Sequence, residues 1–291
     1  MKALAYKAGA FSNKEVKMHL ENIIYIKTEC LDEVKKYKNN FGIIEIEEID
    51  VLKDPLKNRA LLIASTDSTI ALGKELGIAT LAYMNPAFPN QTYSGVDMIV
   101  EGFDEVDADF LEKVYQRYHH IPWTILETER CVVRELCLDD LDGLFELYAD
   151  DGMDEFTEGL FEYEEEKTYQ EAYINHMYRF FGYGMWLVFE KETGKLIGRA
   201  GLEHREIFDE TELELGYLIG KKYQGQGYAT EVCQAILEYA KENTDFPHIN
   251  CVVQKGNDAS IHMAQKLGFE YREDYDLDGK TMHRFVRKFD W

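Results

Sequence analysis

Residues 214–230 read Glu214-Leu215-Gly216-Tyr217-Leu218-Ile219-Gly220-Lys221-Lys222-Tyr223-Gln224-Gly225-Gln226-Gly227-Tyr228-Ala229-Thr230, and this order decides the fold of the second half of the chain. A strand over 212–219 runs into a turn with two close glycines, and a helix over 230–241 starts at once. Such a turn leaves successive backbone N–H groups pointing outward at the positive end of a helix. That is a pyrophosphate cradle without any need for lysine, and Gly225 and Gly227 let the backbone come close to the phosphates. A dinucleotide-binding turn also begins Gly-x-Gly. Here Thr230 stands where its third glycine belongs, and no acidic residue sits suitably at a second strand end.

Composition agrees with such a cradle. With 55 Asp+Glu against 32 Lys+Arg, the net charge is −23. That excludes nucleic acid and anionic membrane surfaces as partners, because both need clustered Lys and Arg. An anionic ligand must then be held by backbone amides and helix ends. The start, Met1-Lys2-Ala3-Leu4-Ala5-Tyr6-Lys7, lacks the features of a signal peptide, and no stretch approaches 18 consecutive apolar residues. The five cysteines, Cys30, Cys131, Cys137, Cys233 and Cys251, are odd in number and show no CxxC spacing. They read as reduced thiols of a cytoplasmic protein with no metal site. His119, His120 and His176 read as helix-end groups rather than ligands.

The 291 residues suffice for two domains. The first half alternates strands over 23–26, 43–46, 60–64, 78–83 and 98–100 with helices over 31–38, 69–76 and to about 118. Asp67 or Ser68 is expected to cap the second helix, and Asp104 or Asp107 the third. This is an α/β pattern, a small Rossmann-like parallel sheet. The boundary falls between His120 and Arg130, giving domains 1–125 and 130–291. The second half carries a strand over 132–135, helices over 141–149 and 169–181, and strands over 185–190, 196–203 and 212–219. After the helix over 230–241 come a strand over 249–254, a helix over 260–267 and a hairpin turning at Asp278-Gly279. This half is a mixed-sheet α+β domain.

Gln224-x-x-Gly227-x-Ala229 resembles the acetyl-CoA signature of the GNAT N-acetyltransferases. Downstream, Asn257-Asp258-Ala259-Ser260 and Lys266-Leu267-Gly268-Phe269 resemble the second cofactor motif of that family, in register with the first. The likeness covers about 130–291 and is greatest to the branch with ribosomal-protein N-terminal and spermidine acetyltransferases. It implies acetyl-CoA as co-substrate and an amine acceptor, a small molecule or a peptide N-terminus. The cofactor residues it implies are Tyr217, Leu218, Ile219, Gln224, Gly225, Gln226, Gly227, Tyr228, Ala229, Thr230 and Asn257. Glu214 matches the place of a catalytic glutamate, with Glu203 and Glu212 as alternatives, and Ala264 stands where many members carry an acid tyrosine. The branch uses serine or water there, which implies Ser260. The oxyanion is expected to meet a backbone N–H near 217–219, where the family's strand splays. A non-catalytic acyl-CoA-binding regulatory module is the rival reading. It needs the cradle but no base.

From Asp150 to Glu166 lie nine acidic residues, Asp150, Asp151, Asp154, Glu155, Glu158, Glu162, Glu164, Glu165 and Glu166, and no basic one. Aromatics interleave and follow: Phe156, Phe161, Tyr163, Tyr169 and Tyr173. In the family this segment shapes the acceptor pocket, and carboxylates with aromatic faces favour a cationic amine. The stretch 55–115, with Asp67-Ser68 and Glu75-Leu76-Gly77, resembles part of a haloacid dehalogenase-like (HAD-like) core without its nucleophile. It reads as non-catalytic, free to contact the other half or a second copy in a homodimer. Asp276-Leu277-Asp278-Gly279 mimics a dehalogenase nucleophile motif but sits where a hairpin turn belongs.

Overall fold

The computed structural model describes residues 18–29, 31–47, 58–150, 152–153, 155–157, 159–208 and 210–289. Cys30, Asp151, Asp154, Glu158 and the N-terminal Met1 to Lys7 lie outside the described residues. The chain divides into two units, Met1–Trp123 and Thr124–Trp291.

The first unit is a five-stranded, all-parallel sheet. Its strands are β1 Asn22–Ile26, β2 Gly42–Ile46, β3 Ala60–Ala64, β4 Ala79–Tyr83 and β5 Ile99–Val100, in the order β2-β1-β3-β4-β5. β3 is apolar throughout because both its faces are covered. Leu61 and Ile63 join a core with Leu111, Val114 and Tyr115 of helix α2, Ala108–Tyr118. Leu62 and Ala64 point the other way, onto Ile70 of helix α1, Asp67–Glu75. Asp107 caps α2, accepting the Phe110 N–H at 2.8 Å. The cap of α1 is Thr66 rather than Asp67 or Ser68, its Oγ1 accepting the Thr69 N–H at 3.2 Å. Asp67 instead accepts the N–H groups of Thr92 and Tyr93 across the loop after β4. The helix expected over 31–38 is a 3-10 helix, Asp32–Asn39.

The second unit holds an eight-stranded mixed sheet, in the order β12-β13-β11-β10-β9-β8-β7-β6. Its strands are β6 Thr124–Glu127, β7 Cys131–Arg134, β8 Met185–Glu190, β9 Leu196–Ile207, β10 Glu210–Ile219, β11 His248–Gln254, β12 Glu270–Leu277 and β13 Lys280–Lys288. All neighbours are antiparallel except β10 and β11. Strand β6 carries no signal in the sequence pattern, since its four residues are too few to show alternation. Helices α3 Leu141–Tyr148, α4 Tyr163–Tyr173, α5 Tyr228–Asn243 and α6 Asp258–Lys266 complete the unit. Helix α5 buries Val232, Cys233, Ile236 and Ala240, and its Tyr239 meets the fully buried Trp186 edge-on at 5.2 Å. The β12–β13 hairpin turns through Asp278 and Gly279, both at positive φ, so that tetrad is turn chemistry.

The helix expected over 169–181 is two structures. Helix α4 starts earlier, at Tyr163, and passes into a π-helical stretch, Ile174–Phe181, closed by Gly182 at φ 76°. Residues five apart lie one turn apart in a π-helix, and Tyr173 and Tyr178 are such a pair, their rings 5.5 Å apart. Together they clamp one residue: the Met185 N–H donates to Tyr173 at 2.7 Å and Tyr178 donates to the Met185 carbonyl at 2.5 Å. A Cβ on Gly184 would sit 2.8 Å from the Tyr178 ring and 2.9 Å from the Tyr173 hydroxyl, so glycine is required there.

The entry to α3 is held by a bidentate pair, Arg134 to Asp140 at 2.7 and 2.6 Å. Burial pushes the Asp140 carboxyl up, but the Arg134 guanidinium and the Cys137 N–H more than offset this and hold it below the usual carboxylate range. A carboxyl lowered on folding stabilises above its unfolded value, about 3.9. That stability is lost as pH falls through the folded value. Asp140→Asn is therefore expected to cost on the order of 2 kcal/mol at neutral pH. Thermal unfolding of variant and wild type should converge below about pH 4; a gap that persists there would locate the effect in packing.

Candidate active site

Strand β10 pairs with β9 along its whole length, from Glu210↔Ile207 to Ile219↔Gly198. With β11 it pairs at one position, Glu214↔Asn250, and then diverges. Among the described residues no further β10–β11 pair follows that row, and the two strands open into a wedge. The turn after β10 closes the mouth of the wedge. Gly225 and Gly227 stand at φ 71° and 85°, the left-handed region that glycine enters freely. Gly227 is the N-cap of α5 and has no side chain with which to cap it, so the N–H groups of the first turn are left for a ligand.

The turn is fixed from three sides. Gln224 Nε2 donates to the Ile219 carbonyl at 2.8 Å, and Gln226 Nε2 to the Lys222 carbonyl at 2.7 Å. Arg130 donates to the Gln226 carbonyl at 3.0 Å and to Glu231 at 2.7 Å, and it lies 4.1 Å over the Tyr228 ring. Asn257 caps α6, its Oδ1 accepting the Ser260 N–H at 3.2 Å, while Tyr217 hydrogen-bonds the Ser260 side chain. Burial pushes the Tyr217 phenol up, so it stays a neutral donor.

A cleft of about 540 Å³ follows these elements. Tyr217, Leu218, Ile219, Gln224, Gly225, Gly227, Tyr228, Ala229, Thr230, Asn257 and Ser260 all line it. Gln226 does not, because both its amide and its carbonyl are engaged with the protein. The cleft is also lined by Phe156, one of the aromatics expected at the acceptor site, and by residues outside the expected set: Lys221, His262, Lys266, Met153 and Thr157. Lys221 and Lys266 thus stand beside the amides and helix ends expected to meet an anion. The signal was available only as spacing, since Lys266 lies six residues after Ser260, nearly two helical turns away.

Glu214 does not line this cleft. It sits at the throat of the wedge, side by side with Glu203 on β9 and Asn250 on β11. Its carboxylate pairs with Arg205. Burial pushes it up against the opposing pull of Arg205 and the Val252 N–H. Glu212 belongs to another cluster, paired with His248 at 2.7 Å and Arg284 at 3.1 Å. Ala264 is fully buried in α6. Helix ends and rings account for the histidines: His119 ends α2 and packs on Tyr115 at 4.4 Å, and His176 stacks on Phe180 at 6.0 Å.

The acetyltransferase (GNAT) domain family matches this chain over residues 130–270. Residues 130–270 are a GNAT acetyltransferase domain. The uncharacterized protein YkkB of Bacillus subtilis is 29% identical over 173 residues, 57% of this chain and 96% of its own. The spermidine N(1)-acetyltransferase of Escherichia coli is 31% identical over 72 residues, 25% of this chain and 36% of its own. A Salmonella typhimurium acetyl transferase that modifies the N-terminal serine of a 50S ribosomal subunit protein is similar in structure. It has a TM-score of 0.50 at 19% identity, covering 58% of this chain and all of that one, a likeness of fold. The acetyltransferase domain makes this protein an acyltransferase, and the reading as a mere ligand sensor gives way.

Proposed function

We propose that this protein transfers the acetyl group of acetyl-CoA to a primary amine that carries positive charge, a small-molecule amine or a peptide N-terminus. The observation that carries this reading is the wedge that opens at Glu214↔Asn250 directly beside the Gly225–Gly227 turn. A pyrophosphate on the N–H groups of that turn and of α5 sends the thioester into the wedge. There a backbone N–H near 217–219 that faces away from β9 meets the oxyanion. The acceptor ammonium first loses a proton to a carboxylate at the throat, since only the free amine has a lone pair. Its nitrogen then bonds to the thioester carbon and the carbon–sulfur bond breaks. Ser260, which lines the cleft and hydrogen-bonds Tyr217, donates to the departing thiolate, whose conjugate thiol has a pKa near 8.5.

The preference for a cation rests on the acidic segment, whose Glu155 and Phe156 line the cleft. Glu166 does not contribute, being buried and engaged with the Phe161 N–H and Gln170. We take the two units as domains, 1–125 and 130–291, and the first as a non-catalytic, HAD-like one. At the carboxyl ends of its strands the carboxylates are spent internally: Glu29 accepts from the Ser65 N–H at 2.5 Å and from Thr66 and Thr69.

A thiol-release assay tests the reading, with spermidine, a peptide with a free N-terminus and a neutral amino acid as acceptors. The cationic acceptors should lead, with kcat/KM falling several-fold as the Debye length shrinks from about 10 to 3 Å. A neutral best acceptor indifferent to salt would remove the acidic segment from substrate choice. No CoA release from any amine would overturn the function.

A further inference from the structure

Two carboxylates face each other at the throat, and they are not equivalent. Glu203 on β9 stands directly opposite Glu214 on β10, in the last row before the wedge opens. Glu214 is already committed to the Arg205 guanidinium and the Val252 N–H. Protonating it would strand Arg205 as an uncompensated, half-buried charge. Glu203 is only part-buried and accepts one hydrogen bond among the described residues, from the Tyr173 hydroxyl at 3.0 Å. That hydroxyl is itself held by the Met185 N–H, and the absent side chain of Gly184 makes room for it. One carboxylate oxygen is thus pinned and the other is left for a donor. Aromatic rings connect this point with the surface. Phe161, 50% exposed, packs on Tyr169 at 5.6 Å, and Tyr169 on Tyr173 at 6.1 Å. Aromatic faces followed by a carboxylate suit the approach of an ammonium.

Resting on the acetyltransfer reading above, we propose that Glu203, rather than Glu214, receives the acceptor ammonium and takes its proton, with Tyr173 as its positioning residue. The balance is complete. One N–H bond of the ammonium breaks and its proton passes to a Glu203 oxygen. The freed lone pair forms the C–N bond, and the C–S pair departs on sulfur. Ser260 gives its hydroxyl proton to that sulfur and regains the second nitrogen proton through water, and Glu203 returns its proton to solvent. Tyr173, Tyr178, Glu214 and Arg205 interact with Glu203, and Arg199 of the same strand acts on both tyrosines. Arg205 is neutralised by Glu214 and so does not repel the incoming cation.

The test uses the full chain with acetyl-CoA and spermidine, reading CoA release across pH and acetyl-CoA affinity by calorimetry. Glu203→Gln should lower kcat/KM by about 100-fold or more, with acetyl-CoA affinity within about twofold of wild type. Tyr173→Phe should lower it by about tenfold. It should also move the acid limb of the pH profile upward, because a hydrogen bond to the charged carboxylate is gone. A merely structural tyrosine would lower the melting temperature and leave that limb in place. If Glu203→Gln fails to fold, Glu203→Asp, which keeps the charge but retracts it, should show an intermediate loss. Wild-type rates in Glu203→Gln or Glu203→Asp, or an unmoved acid limb in Tyr173→Phe, would overturn the assignment with the acetyltransfer reading intact. Absence of turnover by the wild type would remove both.

Discussion

Gly225→Asp is expected to raise the Kd for acetyl-CoA by at least about 100-fold, a loss of some 2.7 kcal/mol, in a protein that still folds. Gly225 lines the cleft at φ 71°, and a Cβ built there meets nothing within 4 Å. The new carboxylate therefore projects into open space beside the uncapped start of α5, where it competes for the N–H groups that suit phosphate. Aspartate tolerates the left-handed region at a cost of about 1–2 kcal/mol, too little to unfold the domain. Gly227 is the less telling position. A Cβ there lies 3.5 Å from the Arg130 guanidinium, which would pair with an introduced carboxylate. Calorimetry on Gly225→Asp beside Gly225→Ala separates charge from strain, since the alanine variant should lose only a few-fold. Micromolar affinity retained in Gly225→Asp would refute the cradle.

Gly201→Ala should abolish folding of the second unit. Its Cβ would lie 2.0 Å from the Gly184 carbonyl oxygen and 2.7 Å from the Met185 Cα, both backbone atoms that no rotamer change can move aside. The strands would have to part where Leu202 N–H bonds the Gly184 carbonyl at 3.1 Å, next to the peptide clamped by Tyr173 and Tyr178. Overpacking against backbone on this scale costs more than about 4 kcal/mol, a large part of a domain's stability. Gly216→Ala is the matched control. Its Cβ would meet the flexible Met185 Sδ at 3.0 Å, and a loss of about 1 kcal/mol is expected. Thermal unfolding followed by near-UV circular dichroism reads both. A Gly201→Ala protein that melts within a few degrees of wild type would show that the β8–β9 contact is not tight.

The glycine turn was legible because most of what makes it lies within ten residues, 219–228. Two glycines need positive φ, Gln224 reaches back to Ile219, and α5 starts at Tyr228. The same holds for the Asp278-Gly279 hairpin, whose turn residues are neighbours in the chain. The cap of α1 differs from expectation for a related reason. Asp67 has the right chemistry for α1, but its carboxylate is drawn to Thr92 and Tyr93, some 25 residues on, and Thr66 caps instead.

By itself, then, the sequence determined an acidic chain, an α/β first half, and an acetyltransferase pattern with a glycine turn at the start of a helix. Tertiary structure decided the partners of each carboxylate. Pairing register put Glu203 opposite Glu214, placed Arg205 within reach of the latter, and drew Glu212 to Arg284, 72 residues away. It also brought Lys221 and Lys266 to one cleft in a chain of net charge −23, and turned the end of α4 into a π-helix that aims Tyr173 at Glu203. Helical and strand periods are set by bonds between near neighbours and repeat along the chain. The ionisation and reach of a carboxylate depend on groups that only the closing of the sheet brings within a few ångströms.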